Sequence, residues 1–506
     1  PTAFQEDAIA HYFRSVAPLG VTAIYKLGAL AGIEPLLLAK LLPLPLALIT
    51  TIFIFYTTRA IAPVPLAAWI STLILNQHLW LNDDLVSATP RAFVYPLFSA
   101  FLYFCVRRSL IPMLLAIALL GFFFPQMMLV AVAVLGVQLV QVKQHSIHLT
   151  RERRRWVFAL SGCVVAAVVV IPFVLNVSDY GAAVTAEQMR MQPEYGPGGR
   201  NAYFEVSPLS FMLHGSSGLR IPVFPSIIWA GFALPFLKRG RSPILKAMTP
   251  NVRILADLTL ASLSLFLLAH LLLLRLHFPS RYMYHSWRFI LSIAAGIVLA
   301  ALIERVRMRW TRQKGTLLRT GLSGLAAFIF IGVPLIPALM IAFQGWVVGD
   351  IPEVYTYLAQ TPADTVVASL APEANNVPAF TSRSTWTGRE FSLPHHPQYY
   401  AMIRDRTARL LHAQYSPRLS ESVSLANDEG IDFFLIERTA FDSTYLDHDW
   451  LFYSGLQAQV KEIIAEMQRG TVPAIARHLS TCGVVSTESY VLVSASCLED
   501  LYQIRS

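Results

Sequence analysis

FVYPLFSAFLYFCVRRSLIPMLLAIALLGFFFPQMMLVAVAVLGVQLV, residues 93–140, decides what kind of protein this chain is. It holds three apolar runs, 93–106, 109–121 and 124–140, and its only charges are Arg107 and Arg108. Only helices and closed barrels satisfy their backbone groups in hydrocarbon, and runs this continuously apolar are not the alternating strands of a barrel. They read as membrane helices. Outward from them the same pattern recurs at 41–58, 61–80, 156–177, 222–237, 254–276, 289–303 and 317–343. Several of these reach the ~20 residues that a helix needs to cross ~30 Å of hydrocarbon. The shorter ones are expected to tilt, half-insert or pair.

Composition agrees. The chain is 55% hydrophobic and 14% charged, against about 25% charged in an ordinary soluble domain. Its net charge of +9 is unevenly spread. Residues 344–506 carry 11 Lys and Arg against 19 Asp and Glu, a balance of −8 that leaves +17 for the rest. The positive charges cluster at Arg107 and Arg108; at Lys143, Arg151, Arg153, Arg154 and Arg155; at Lys238, Arg239, Arg241 and Lys246; and at Arg305, Arg307, Arg309, Arg312 and Lys314. By the positive-inside rule these four loops are cytoplasmic. Basic residues dispersed over four loops do not form one nucleic-acid footprint, so a nucleic-acid partner is not expected.

Five regions then fall outside: 1–40, 81–92, 178–221, 277–288 and the chain after about 344. The fold class read here is mainly α: a polytopic bundle of about ten transmembrane helices over 1–343, followed by an extracytoplasmic α/β domain over 344–506. Ten crossings put both ends outside, and the chain starts at Pro1. A first transmembrane helix or signal segment is therefore expected before it. In the tail the pattern predicts a helix over 352–358, a strand over 365–370, a helix over 397–414, a strand at Phe433–Glu437, a helix over 449–468 and a closing hairpin, 484–486 with Tyr490–Ser494. Cys105 and Cys163 lie in apolar segments and read as packing residues. Cys482 and Cys497 flank the hairpin; an oxidising compartment would let them join, while two free thiols remain the alternative.

The chemistry is sought where polar residues crowd the outer face. Gln5-Glu6-Asp7 precedes His11-Tyr12-Phe13 and Ala17-Pro18-Leu19-Gly20, which open the mostly apolar run 21–38. Adjacent carboxylates there could supply a general base or hold a divalent cation; they could equally be the acidic start of a helix. Asn82-Asp83-Asp84, followed by Ser87, Thr89 and Arg91, offers a second pair close to hydrocarbon, where charge is costly unless it meets a cavity or a partner. Its alternative is a solvated turn capping the next helix. His277-Phe278-Pro279-Ser280-Arg281-Tyr282-Met283-Tyr284-His285-Ser286-Trp287-Arg288 interleaves arginines with aromatics, and guanidinium groups grip phosphate oxygens in a fork. The plainer alternative is an aromatic belt with snorkelling arginines. The loop 178–221, rich in Gly and Pro, suits a flap or a connector.

On these residues the chain resembles the GT-C superfamily of polyprenyl-phosphate-dependent glycosyltransferases. Gln5-Glu6-Asp7 through Phe13, with Pro18-Leu19-Gly20, is similar to the family's acidic entry into a juxtamembrane helix. In the tail, Val354-Tyr355-Thr356-Tyr357-Leu358, Pro362 through Ser369, and Gly430-Ile431-Asp432-Phe433-Phe434-Leu435-Ile436 look like the family's opening helix and strands. The resemblance implies transfer of a sugar from a polyprenyl-phosphate donor to an acceptor at the outer membrane face, with membrane lipids as surroundings. It implies Asp7 or Glu6 as the catalytic acid-loop residue and Asp83 and Asp84 as the second acidic loop. Arg281 takes the donor-phosphate position, with His285 and Arg288 beside it. Asp7, Asp83 and Asp84 are the candidate ligands of a divalent cation, Mg or Mn. Two departures stand out: the family's first helix is absent here, and no Trp-Trp-Asp-type motif of the oligosaccharyl transferase branch is found, which favours transfer of a single sugar. A transporter or flippase of a lipid-linked or anionic substrate is the rival from another class, and a non-catalytic membrane scaffold a third. Transporters commonly show internal repeats, and none is seen here.

Overall fold

A computed structural model of the chain describes residues 4, 7–143, 146–175, 179–238, 242–311, 349–442 and 444–505, together with 321, 324, 325 and 328. The chain divides into two compact units, each described separately. One comprises 17–176 and 212–346, the other 1–16, 177–211 and 347–506.

The first unit is helical. Four of its helices are long and apolar enough to cross a membrane: Pro35–Ile61, Arg153–Ile171, Pro250–Leu271 and Ser280–Met308. Shorter apolar helices, among them Leu19–Leu30, Leu110–Phe123 and Pro125–Val137, fill in between. The apolar run at 222–237 forms a 3₁₀ helix, Ser226–Phe236, not an α-helix; Pro225 precedes it and Pro235 lies inside it, and proline breaks the α-helical hydrogen-bond ladder. The predicted span 317–343 lies almost wholly outside the described residues. Helix Arg153–Leu175 turns Leu160, Val164 and Val168 outward, each about three-fifths exposed. Such an apolar exterior suits lipid and not water.

Ser280–Thr311 is the centre of this unit, packing against Pro65–Trp80, Ser226–Phe236 and Arg253–Leu271. It begins much earlier than the apolar run at 289, because Pro279 sits just ahead of it and residues 280–288 contain neither Gly nor Pro to stop it. The outer loop read over 277–288 is therefore largely the first turns of a helix. At Gly296 this helix meets Pro65–Trp80 with no room for a side chain: a Cβ there would lie 2.6 Å from the Ser71 backbone nitrogen and 2.7 Å from the Ala67 carbonyl oxygen. Small residues permit this close approach in membrane bundles.

The second unit holds a five-stranded sheet. After a hairpin of β1 (Val140–Lys143) and β2 (Ser146–Leu149) in the first unit, its strands are β3 (Val366–Ala368), β4 (Ser384–Thr385), β5 (Phe433–Glu437), β6 (Gly483–Ser486) and β7 (Tyr490–Ser494), in the order β4-β3-β5-β7-β6. β3 pairs in parallel with β4 and β5, while β7 is antiparallel to β5 and β6. Helix Pro397–Tyr415 matches its predicted span closely. The helix predicted over 449–468 is broken into Trp450–Tyr453 and Gln457–Gln468. Helix Leu419–Glu429, ended by Gly430 in the left-handed region, was not anticipated. Cys482 and Cys497 form a disulfide. Of the other two cysteines Cys105 is buried and Cys163 is exposed, so only the first packs inside the protein.

Candidate functional site

Asp84 is the centre of a buried ionic cluster in the helical unit. It lies in the short helix Asp83–Val86 that follows Pro65–Trp80, and its side chain is fully buried. Arg288 Nη1 donates to its Oδ2, and Tyr284 Oη donates to the same oxygen at 2.7 Å. Arg91 Nη1 stands 3.3 Å from Oδ1 as an ion pair. Burial pushes the Asp84 carboxyl up, but Arg288, His285, the Tyr284 hydroxyl and Arg91 outweigh it and hold it well below the ordinary carboxylate range. A carboxylate so held is a fixed counter-ion, not a base ready to accept a proton.

Helical spacing makes the cluster possible. Arg281, Tyr284, His285 and Arg288 stand at intervals of three and four along Ser280–Thr311, so they share one face. Two guanidinium groups lie over the Tyr284 ring: Arg288 at 3.8 Å and Arg220 at 4.5 Å from its centroid. Tyr95, fully buried in Val94–Val106, accepts from Arg288 Nη1 and sits 3.0 Å from His285 Nδ1. Arg281 lies in the electrostatic field of Arg91, Arg220 and Asp84. Two arginines, Arg288 and Arg91, thus pair with one described carboxylate, and Arg220 and Arg281 add further positive charge beside Tyr284 and along the same helix face. Arg288 is 0% exposed, yet its Nε and Nη2 have no hydrogen-bond partner among the described residues, and the same holds for His285 Nε2. Unpaired buried donors are costly, and an excess of guanidinium charge around them is the setting that an incoming anion would complete.

The donor-phosphate candidates Arg281, His285 and Arg288 are therefore brought together with Asp84. Arg91, Arg220, Tyr95 and Tyr284 complete the cluster and carried no assigned role in the sequence. The spacing 281-284/285-288 was a legible signal, whereas Arg220 and Tyr95 come from distant segments and only tertiary packing reveals them. The side chain of Asp83 and all of Glu6 lie outside the described residues.

Asp7 belongs to the other unit. Its Oδ1 accepts from the backbone nitrogens of Ile9 at 2.8 Å and Ala10 at 3.0 Å, capping helix Ala8–Val16. It borders a cavity of about 570 Å³ shared with Asp364, Trp386, Arg406 and Glu429. Tyr12 anchors this segment: it stacks on Tyr399 with ring centroids 3.5 Å apart, and its hydroxyl lies 2.9 Å from His396 Nδ1. Burial, with Tyr180 nearby, pushes the Tyr12 hydroxyl up to about 12. The loop 178–221, read as a flap or connector, contributes its first part to this same unit. There the Glu194 carboxylate accepts from the Tyr400 hydroxyl and, at 2.8 Å, from the Gly455 backbone nitrogen.

Asp7, Asp83 and Asp84 were the candidate metal ligands. Among the described residues, no group of three or more His, Cys, Asp or Glu is arranged to hold a metal ion. Asp84 already has both oxygens turned toward cations or donors of the protein. The groups nearest the Asp84 carboxylate are thus guanidinium cations and a phenol, and the side chain of Asp83, the other candidate beside it, lies outside the described residues.

No protein-family model and no curated protein matches the sequence. Among solved structures the chain is similar to the Archaeoglobus fulgidus oligosaccharyltransferase tethered with an acceptor peptide containing the NVT sequon, with a TM-score of 0.55 at 12% identity over 88% of this chain and 63% of that one. The apo form of that enzyme gives 0.51 at 12% identity over 88% and 64%. Archaeal oligosaccharyltransferase AglB from the same organism, in complex with an inhibitory peptide and a dolichol-phosphate, gives 0.50 at 10% identity over 89% and 64%. At such identities the likeness is one of fold: the chain shares the fold of these oligosaccharyltransferases. It spans less than two thirds of their length.

Proposed function

We propose that this chain is a membrane glycosyltransferase that takes a sugar from a polyprenyl-phosphate donor and passes it to an acceptor at the outer membrane face. The observation that carries the reading is the arginine cluster built on the buried Arg288–Asp84 pair: Arg91 pairs with the same carboxylate, the exposed Arg220 stacks on Tyr284, Arg281 shares the helix face, and Arg288 keeps donors left over for a phosphate. The fold shared with oligosaccharyltransferases, one of them in complex with a dolichol-phosphate, supports the same direction. The four arginine-rich loops and the Cys482–Cys497 disulfide support a C-terminal region outside the cytoplasm, since disulfides persist in oxidising compartments.

In the proposed reaction an acceptor hydroxyl oxygen attacks the anomeric carbon while a carboxylate takes its proton, the role that the resemblance implies for Asp7 or Glu6. The bond from that carbon to the phosphate oxygen breaks, its electron pair leaves with the phosphate, and the anomeric centre inverts. Arg281 and Arg288, with Arg91 and Arg220, stabilise the departing polyprenyl phosphate. Asp84 holds the arginines in register, a positioning role in place of the catalytic one first read for it. Full-length protein reconstituted in vesicles and supplied with a radiolabelled polyprenyl-phosphate sugar tests this. Label transferred to an acceptor supports the proposal. Donor carried across the bilayer without transfer would favour a flippase, and neither activity would favour a scaffold.

A further inference from the structure

A second charged cavity lies at the opposite end of the helical unit, among the arginine-rich loops. Its volume is about 280 Å³, and its walls include Arg108, Arg154, Arg155, Arg253, Glu152 and Asp257. These come from four helix ends: just past the last turn of Val94–Val106, the start of Arg153–Leu175 and its lead-in, the start of Arg253–Leu271, and Gln138 just after Pro125–Val137. Glu152 is held by Arg108 at 2.7 Å and Arg155 at 2.6 Å, and Asp257 by Arg253 at 3.1 Å. Arg154 pairs with no carboxylate among the described residues; its Nη2 donates to the Arg108 carbonyl at 2.7 Å. Four arginines against two carboxylates leave two positive charges at the cavity, while the dipoles of two helix N-termini and two helix C-termini offset one another.

We propose that this cavity binds the phosphate headgroup of an anionic membrane phospholipid. The helix that supplies Arg154 and Arg155 continues as a membrane-spanning segment whose Val157, Leu160 and Val164 are exposed. Ile111, near the start of the adjacent Leu110–Phe123, is 80% exposed. A lipid can therefore seat its phosphate among the guanidinium groups and lay its chains along apolar flanks, which a soluble anion cannot do. Basic pockets between helices at a membrane's cytoplasmic side bind such headgroups.

The test uses the full chain in a nonionic detergent, titrated with phosphatidylglycerol or phosphatidylcholine and read by native mass spectrometry. Phosphatidylglycerol should bind saturably and more tightly than phosphatidylcholine. Arg154→Gln should weaken it roughly fivefold, Arg154→Lys should retain it, and Arg307→Gln, a charge removed elsewhere among the same loops, should leave it unchanged. Equal binding of the two lipids, or an Arg154→Gln variant that binds phosphatidylglycerol like the parent, overturns the proposal. Full displacement of the lipid by millimolar inorganic phosphate would also overturn it, by identifying a free anion as the ligand. If Arg154→Gln fails to fold, the comparison of the two lipids on the parent chain still decides.

Discussion

Removing the Asp84 carboxylate would leave Arg288 buried without its counter-ion and three further arginines repelling one another. Breaking one partner of a buried pair costs about 3–5 kcal/mol. Asp84→Asn should therefore destabilise the protein by roughly that amount in denaturant titration; a loss under about 1 kcal/mol would mean the pair behaves like a surface one. Asp7 poses the opposite case. Asparagine caps a helix as well as aspartate, so Asp7→Asn should leave thermal stability and donor binding nearly intact while abolishing sugar transfer. Transfer at the parental rate would reduce Asp7 to the capping group that its contacts with Ile9 and Ala10 describe.

At the scale of elements, the helix Ser280–Thr311 carries the site, and Gly296 sets how closely it approaches Pro65–Trp80. Gly296→Ala would force a methyl against backbone atoms of Ala67 and Ser71, and overpacking of this kind costs about 1–3 kcal/mol. The expected outcome is a lower melting temperature together with weaker donor binding, because the arginines ride on the displaced helix. An unchanged melting temperature would contradict the packing described. The sequence made the existence of most helices legible through their apolar length, yet it misplaced the start of this one. Residues 280–288 are polar and aromatic, so an apolar window stops at 289, although the three- and four-residue spacing of Arg281, Tyr284, His285 and Arg288 already marked a helical face. The 3₁₀ form of Ser226–Phe236 was readable from Pro225 and Pro235. The two-residue strand β4 was not, since it owes its existence to pairing with β3.

For the whole molecule, the sequence identified a membrane chain with a tail of different composition. It did not show that residues 1–16 and 177–211 belong to the unit formed by 347–506. Segments distant in sequence join through contacts such as Tyr12 with Tyr399 and Glu194 with Tyr400, which no local pattern announces. Arg220 entered the arginine cluster in the same unannounced way. The proposed handling of a phosphate rests on that cluster. The measurement that tests it most directly is equilibrium binding of a polyprenyl phosphate to the full chain and to its Arg281→Ala variant, with both shown to be folded. Losing one charge-assisted contact to phosphate, at roughly 1.5–3 kcal/mol, should weaken binding by about tenfold or more; equal affinity of the two proteins would contradict the account.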